Sequence, residues 1–144
     1  MKHSFNLLVI ITILFTSIKF KSCKQNEPKN MDMTVKNYNL IGHKAAITYP
    51  DFTAEVEYLS DSTLHWKTTT VEGTVAEGTE KVFLKKLNES QFFINWIEES
   101  GLTISQVVDM KNNNVTSFAS FADETSSQGK RGSIILEGKF ELVK

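Results

Sequence analysis

From Tyr38 to the C-terminus the chain repeats one pattern: a short run of alternating apolar and polar residues, then a turn signal, roughly every eight to twelve residues. No stretch of that region carries a convincing amphipathic-helix period. Alternation sends successive side chains to opposite faces of a strand. In Thr53–Leu59, Ala54, Val56 and Tyr58 share one face and Glu55 and Glu57 the other. Ser60-Asp61-Ser62 turns the chain, and Thr63–Thr70 returns with Leu64, Trp66 and Thr68 on the apolar face and His65 and Lys67 outward, so the pair reads as a hairpin. Before it, Ala45–Tyr49 ends at the turn signal Pro50-Asp51.

Further strands are predicted over Lys81–Leu87, from Gln91 onward, and over Thr103–Met110, Val115–Phe121 and Ser133–Val143. Glu72-Gly73 and Glu77-Gly78 read as bracketing a loop or irregular strand, and Asp109 as capping the turn Lys111–Asn114. In the last strand Ile134, Leu136, Phe140 and Leu142 share a face, and Gly138 on that face is expected to mark a bend or bulge. Sequential hairpins of this kind favour an all-β, antiparallel up-and-down barrel of about eight strands over a sandwich. The interior of such a barrel is just wide enough for side chains or one small ligand.

The stretch Gln91–Gly101 (QFFINWIEESG) points to the inside of that barrel. Phe92, Ile94, Trp96 and Glu98 fall on one strand face, three large apolar groups in line with one carboxylate. If the face is the barrel lining, Glu98 is a polar group aimed into an apolar cavity, with its pKa raised by desolvation. A hydrogen bond to Tyr49 and a solvated place on the rim are the alternatives. Tyr49, Tyr58, Trp66, Phe92 and Trp96 either line a ligand cavity together with Ile94 or fill an ordinary core.

The N-terminus has a different character. Met1–Ile18 opens with Lys2 and His3 and continues as an apolar run of about a dozen residues, the form of a signal-peptide core and too short for a comfortable membrane span. Cys23, the only cysteine, follows, and Lys24–Lys36 is polar and aperiodic. Residues 1–22 are read as a signal peptide, 23–37 as a tether and 38–144 as the folded domain. Ser22-Cys23 resembles a bacterial lipoprotein cleavage site, which implies lipidation of Cys23, a membrane anchor and a place in the bacterial cell envelope; Phe20 and Lys21 depart from that pattern. A lone cysteine excludes an intrachain disulfide. His3, His43 and His65 are scattered, so no metal site and no cofactor is expected. The net charge of -1 offers no basic footprint for nucleic acid.

Several motifs are familiar in their order: Ile41-Gly42, Ile47-Thr48-Tyr49, Tyr58 through Trp66, Phe93 through Glu98 to Gly101, and Gln106-Val107-Val108-Asp109. Over about residues 40–143 the chain resembles the MoaF-like domain, named for molybdenum cofactor biosynthesis protein F. It is also similar to the bacterial phenolic acid decarboxylases. Both resemblances imply a lipocalin-like (calycin) barrel. In the decarboxylases a tyrosine pair, an arginine and a glutamate surround a hydroxycinnamic acid. Here Tyr49 falls on the second tyrosine and Glu98 on the glutamate, while Ile47 stands where the first tyrosine belongs. No arginine occurs near Val75 or Ala76, and Arg131 is the only one in the chain. An acid held in an apolar barrel needs a charge-assisted partner. The leading expectation is therefore a binding module for a small apolar or aromatic molecule, without catalysis. The alternatives are an enzyme using Glu98 and Tyr49 as an acid/base pair, and a structural or partner-binding lipoprotein with a filled barrel.

Overall fold

The computed structural model describes residues 36–143, so the stretch read as an export signal, Cys23 and nearly all of the stretch read as a tether lie outside the described residues. Every regular element among them is a strand: β1 (Lys44–Thr48), β2 (Phe52–Tyr58), β3 (Thr63–Thr70), β4 (Val75–Lys86), β5 (Gln91–Ile97), β6 (Thr103–Asp109), β7 (Asn114–Ala122) and β8 (Arg131–Val143). Each pairs antiparallel with its successor, and β8 returns to β1 to close the barrel. The closing seam sets Ile47 opposite Phe140, and no strand is left with a bare edge. The architecture is the expected eight-stranded up-and-down barrel.

Inward residues follow the strand period. Ala54, Val56 and Tyr58 on β2, Phe92, Ile94 and Trp96 on β5, and Val115, Ser117 and Ala119 on β7 are all buried. His65 and Lys67 point outward as expected; His65 Nδ1 meets Thr79 Oγ1 at 3.0 Å on the outer surface. On β8, Leu136 and Phe140 face inward, but Ile134 and Leu142 are 49% and 38% exposed. They share the inward parity yet lie near the two ends of the strand.

The Glu72–Gly78 region differs from the expected loop or irregular strand. Only residues around Gly73 turn; Val75–Lys86 is one continuous strand, with Glu77 and Gly78 inside it. Gly78 pairs with Trp66, and a Cβ there would stand 3.1 Å from the indole ring. The residue is glycine because a large ring lies across the strand, and no turn occurs. Gly138 has the same explanation, and of the expected bend or bulge no bulge occurs. The β7–β8 register runs through it unbroken, and a Cβ would come within 2.9 Å of the Tyr49 ring. Aromatic side chains covering cross-strand glycines are a recognised device for closing tightly curved sheets.

The two ends of the barrel differ. At one end the segment before β1 folds across the opening. Leu40 is fully buried there, Gly42 N–H donates to Tyr58 O at 2.7 Å, and Tyr58 N–H donates to His43 O at 3.0 Å. Gly42 adopts φ 80°, a conformation glycine reaches without strain. Beneath this plug Tyr58, Leu64, Phe92, Ile94, Val108 and Phe140 form the solid core. Asp109 closes the β6–β7 turn at the same end, as the sequence suggested. Burial pushes its carboxyl up, but bonds from the Gln91 and Asn112 side chains and the Asn112 and Lys111 backbone outweigh that and hold it below the ordinary range. The opposite end carries the loops after β1, β3, β5 and β7 and has no such plug.

Candidate functional site

The open half of the barrel contains a cavity of about 310 Å³. Its walls come from seven of the eight strands and their loops, so the closed sheet positions it. Tyr49, Phe52, Trp66 and Trp96 supply aromatic surface, and Leu102, Ile104 and Leu136 with three alanines supply aliphatic surface. Thr68, Glu98, Gln106 and Ser117 are the polar members. Few polar groups set in a largely apolar wall is the usual form of a small-molecule site. A roomier recess of about 510 Å³ lies outside the barrel between Pro50, Thr116 and Lys139, but it is open and walled chiefly by solvent-exposed side chains.

Tyr49 lies just past β1, where its N–H donates to Phe52 O at 2.9 Å and its ring meets Phe52 with centroids 4.6 Å apart. Its hydroxyl shares a 2.7 Å hydrogen bond with Ser117 Oγ and accepts one from Gln106 Nε2 at 3.3 Å. Burial raises the phenol above its ordinary pKa, against the opposing effect of these two bonds, so Tyr49 stays protonated near neutral pH. Gln106 is 5% exposed, and its Oε1 has no partner.

Glu98 stands one residue beyond β5, held by two backbone bonds: its N–H donates to Leu102 O, and its carbonyl accepts from Gly101 N–H, both at 2.8 Å. These close the Glu98–Gly101 turn, which Gly101 completes at φ 79°. Burial pushes the Glu98 carboxyl up, and the nearby Glu80 adds to this. The Trp96 indole N–H lies close enough to oppose the shift, but it closes no hydrogen bond of good geometry and is left without a partner. No ion pair to Glu98 is present among the described residues.

The sign of that shift gives a test. A carboxyl whose folded pKa lies above its unfolded one, near 4.5, contributes stability that is full below the unfolded value. The contribution is lost as pH rises through the folded value. At neutral pH the ionised Glu98 is a net cost. Glu98→Gln is therefore expected to raise Tm near neutral pH and change it little near pH ~4, in thermal denaturation across a pH series. A lower Tm at neutral pH would contradict this account of the side chain.

Of the residues singled out in the sequence, Tyr49, Trp66, Trp96 and Glu98 line the cavity. Tyr49 and Glu98 share it without a hydrogen bond between them, because Ser117 and Gln106 satisfy the phenol. Tyr58, Phe92 and Ile94 do not line it. They have the right strand parity but sit at the plugged end, 0%, 4% and 0% exposed, as solid core. Tyr58 is packed so tightly that its hydroxyl has no partner, and burial drives its pKa far upward. Phe52, Gln106 and Ser117 are lining residues that the sequence reading passed over. Counting by twos from Val108 along β6 finds Gln106, although alternation alone labels an amide as outward.

Arg131 is outside the cavity. Its guanidinium is held on the exterior by Ser120 O at 2.7 Å, with longer bonds to Ser120 Oγ, Gly101 O and Thr103 Oγ1. The decarboxylase constellation is thus absent from the described cavity, in which no Lys, Arg or His takes part.

Comparison with known proteins agrees with the fold. A crystal structure of a provisionally assigned beta-lactamase from Burkholderia vietnamiensis is similar, with a TM-score of 0.61 and 16% identity, covering 75% of this chain and 99% of that one. At that identity the likeness concerns architecture alone. No curated protein matches the chain. The MoaF-like family model matches residues 41–134, from the plug through the start of β8. With the closed eight-stranded barrel and its aromatic interior described, that match shows that the chain belongs to the MoaF-like family.

Proposed function

We propose that this protein is a binding module that holds one small apolar or aromatic molecule inside its barrel. The observation that carries the proposal is the cavity of about 310 Å³, walled by four aromatic rings and reached from the unplugged end. A filled barrel would have no such space. The reading is favoured over decarboxylation of an aromatic acid because the wall offers no cation for a substrate carboxylate.

The test is a thermal-shift screen with small hydroxylated aromatics such as phenols and hydroxylated benzyl alcohols. A ligand present at about a hundredfold its Kd adds about 2.7 kcal/mol of stability, so a clear rise in Tm is expected. No rise across a broad panel would count against the proposal. From the first two dozen residues we also propose that the barrel is anchored at the cell envelope through a lipidated Cys23. Cys23→Ser is then expected to move the protein from the membrane to the soluble fraction, and an unchanged distribution would count against the anchor.

A further inference from the structure

We propose that the molecule held in the cavity is a small organic cation, an aromatic ammonium whose charged end meets Glu98 and whose ring lies among Trp66, Trp96 and Phe52. This rests on the reading of the barrel as a small-molecule binder and adds the ligand's chemical class. Three observations lead to it.

The first is the wall itself. Among the described residues Glu98 is the only charged side chain that lines the cavity, and four of the other lining residues are aromatic, Trp96 close to its carboxyl. Aromatic faces attract cations through their quadrupole, and a carboxylate beside them supplies the counter-charge. An anionic ligand would meet Glu98 with nothing to offset the repulsion.

The second is what Glu98 lacks. Its carboxyl is partly buried, without an ion pair among the described residues, and it feels the charge of Glu80. A cation at this point would relieve both the desolvation and the repulsion. The unpartnered indole N–H groups of Trp66 and Trp96 would by themselves suit an acceptor on the ligand. They are neutral, however, and a neutral hydrogen bond does not outweigh an unpaired charge in an apolar site.

The third is the approach. The loops around the open end carry Asp51, Glu72, Glu98, Glu99, Asp123 and Glu124. Their one basic residue, Lys130, is paired with Glu124 at 2.7 Å, and Arg131 at the start of β8 is tied down on the exterior. At the plugged end Lys36 and Lys111 balance Asp61 and Glu89. The field is therefore negative at the mouth and draws cations toward it.

The test uses three probes of one shape and different charge: 2-phenylethylammonium, 2-phenylethanol and 3-phenylpropanoate. Each is titrated calorimetrically into the wild-type protein and into Glu98→Gln, a variant expected to fold at least as well. The ammonium is expected to bind at least about tenfold more tightly than the alcohol, and the carboxylate more weakly than either. In Glu98→Gln the ammonium should fall to the affinity of the alcohol, with the alcohol itself changed by no more than about twofold. Alcohol and ammonium binding equally to wild type, or the carboxylate binding most tightly, would overturn the cation inference and leave the binding-module reading standing. Absence of binding by all three, together with a silent thermal-shift panel, would overturn both.

Discussion

Phe140→Ala is expected to lower the stability of the protein by about 3–5 kcal/mol, the usual cost of removing a buried phenylalanine ring. Phe140 is 1% exposed and lies opposite Ile47 across the β1–β8 seam that closes the barrel. It packs in the plugged half, within the cluster of buried apolar side chains. The loss would include both the transfer of the ring to water and the hole it leaves. A domain of this kind has about 5–15 kcal/mol in total, so the variant would be marginal at best. Phe83→Ala serves as the comparison. Phe83 is 58% exposed on the outer surface and meets Phe93 edge-on at 6.3 Å. Its removal is expected to cost no more than about 1 kcal/mol. Urea denaturation of both variants measures the difference. Similar losses at the two positions would mean that the seam is not where the core is closed.

Ala119→Phe is expected to abolish ligand binding, with affinity reduced at least about a hundredfold, while the protein remains folded. Ala119 lies on β7 between Ile104 and Ile134, buried, with its methyl in the cavity wall. A ring added there enters open space. Overpacking is costly where the core is already full, as it would be near Phe140, and much less so where a void receives the new atoms. The same substitution that blocks the ligand should therefore leave Tm unchanged or higher. Lost binding with a strongly reduced Tm would instead indicate a filled interior at this position.

The sequence shows which residues face inward better than it shows what lies inside. Phe92, Ile94, Trp96 and Glu98 alternate cleanly because one face of β5 meets the interior along its whole length. What separates Trp96 from Phe92 is depth, and depth depends on the plug. Leu40 closes one end from a segment distant in sequence from β5, and no local pattern announces that. Gly78 reads as the border of a loop or irregular strand, and Gly138 as a bend or bulge, because glycine is locally a breaker. Their actual partners, Trp66 and Tyr49, are cross-strand or barrel-closing contacts that appear only once the register is known. Ser117 and Gln106 escaped notice for a related reason. Each is polar on an inward position, tolerated because the pair binds the Tyr49 hydroxyl.

Tryptophan emission tests the hollow barrel most directly. The chain has two tryptophans, Trp66 and Trp96, and both stand in the cavity wall. A molecule that enters must change the surroundings of each. Titration of 2-phenylethylammonium into the protein is expected to give a saturable change in fluorescence that Ala119→Phe eliminates. Emission that stays constant through saturating ligand, or a change that persists with the cavity filled by Ala119→Phe, would contradict binding inside the barrel.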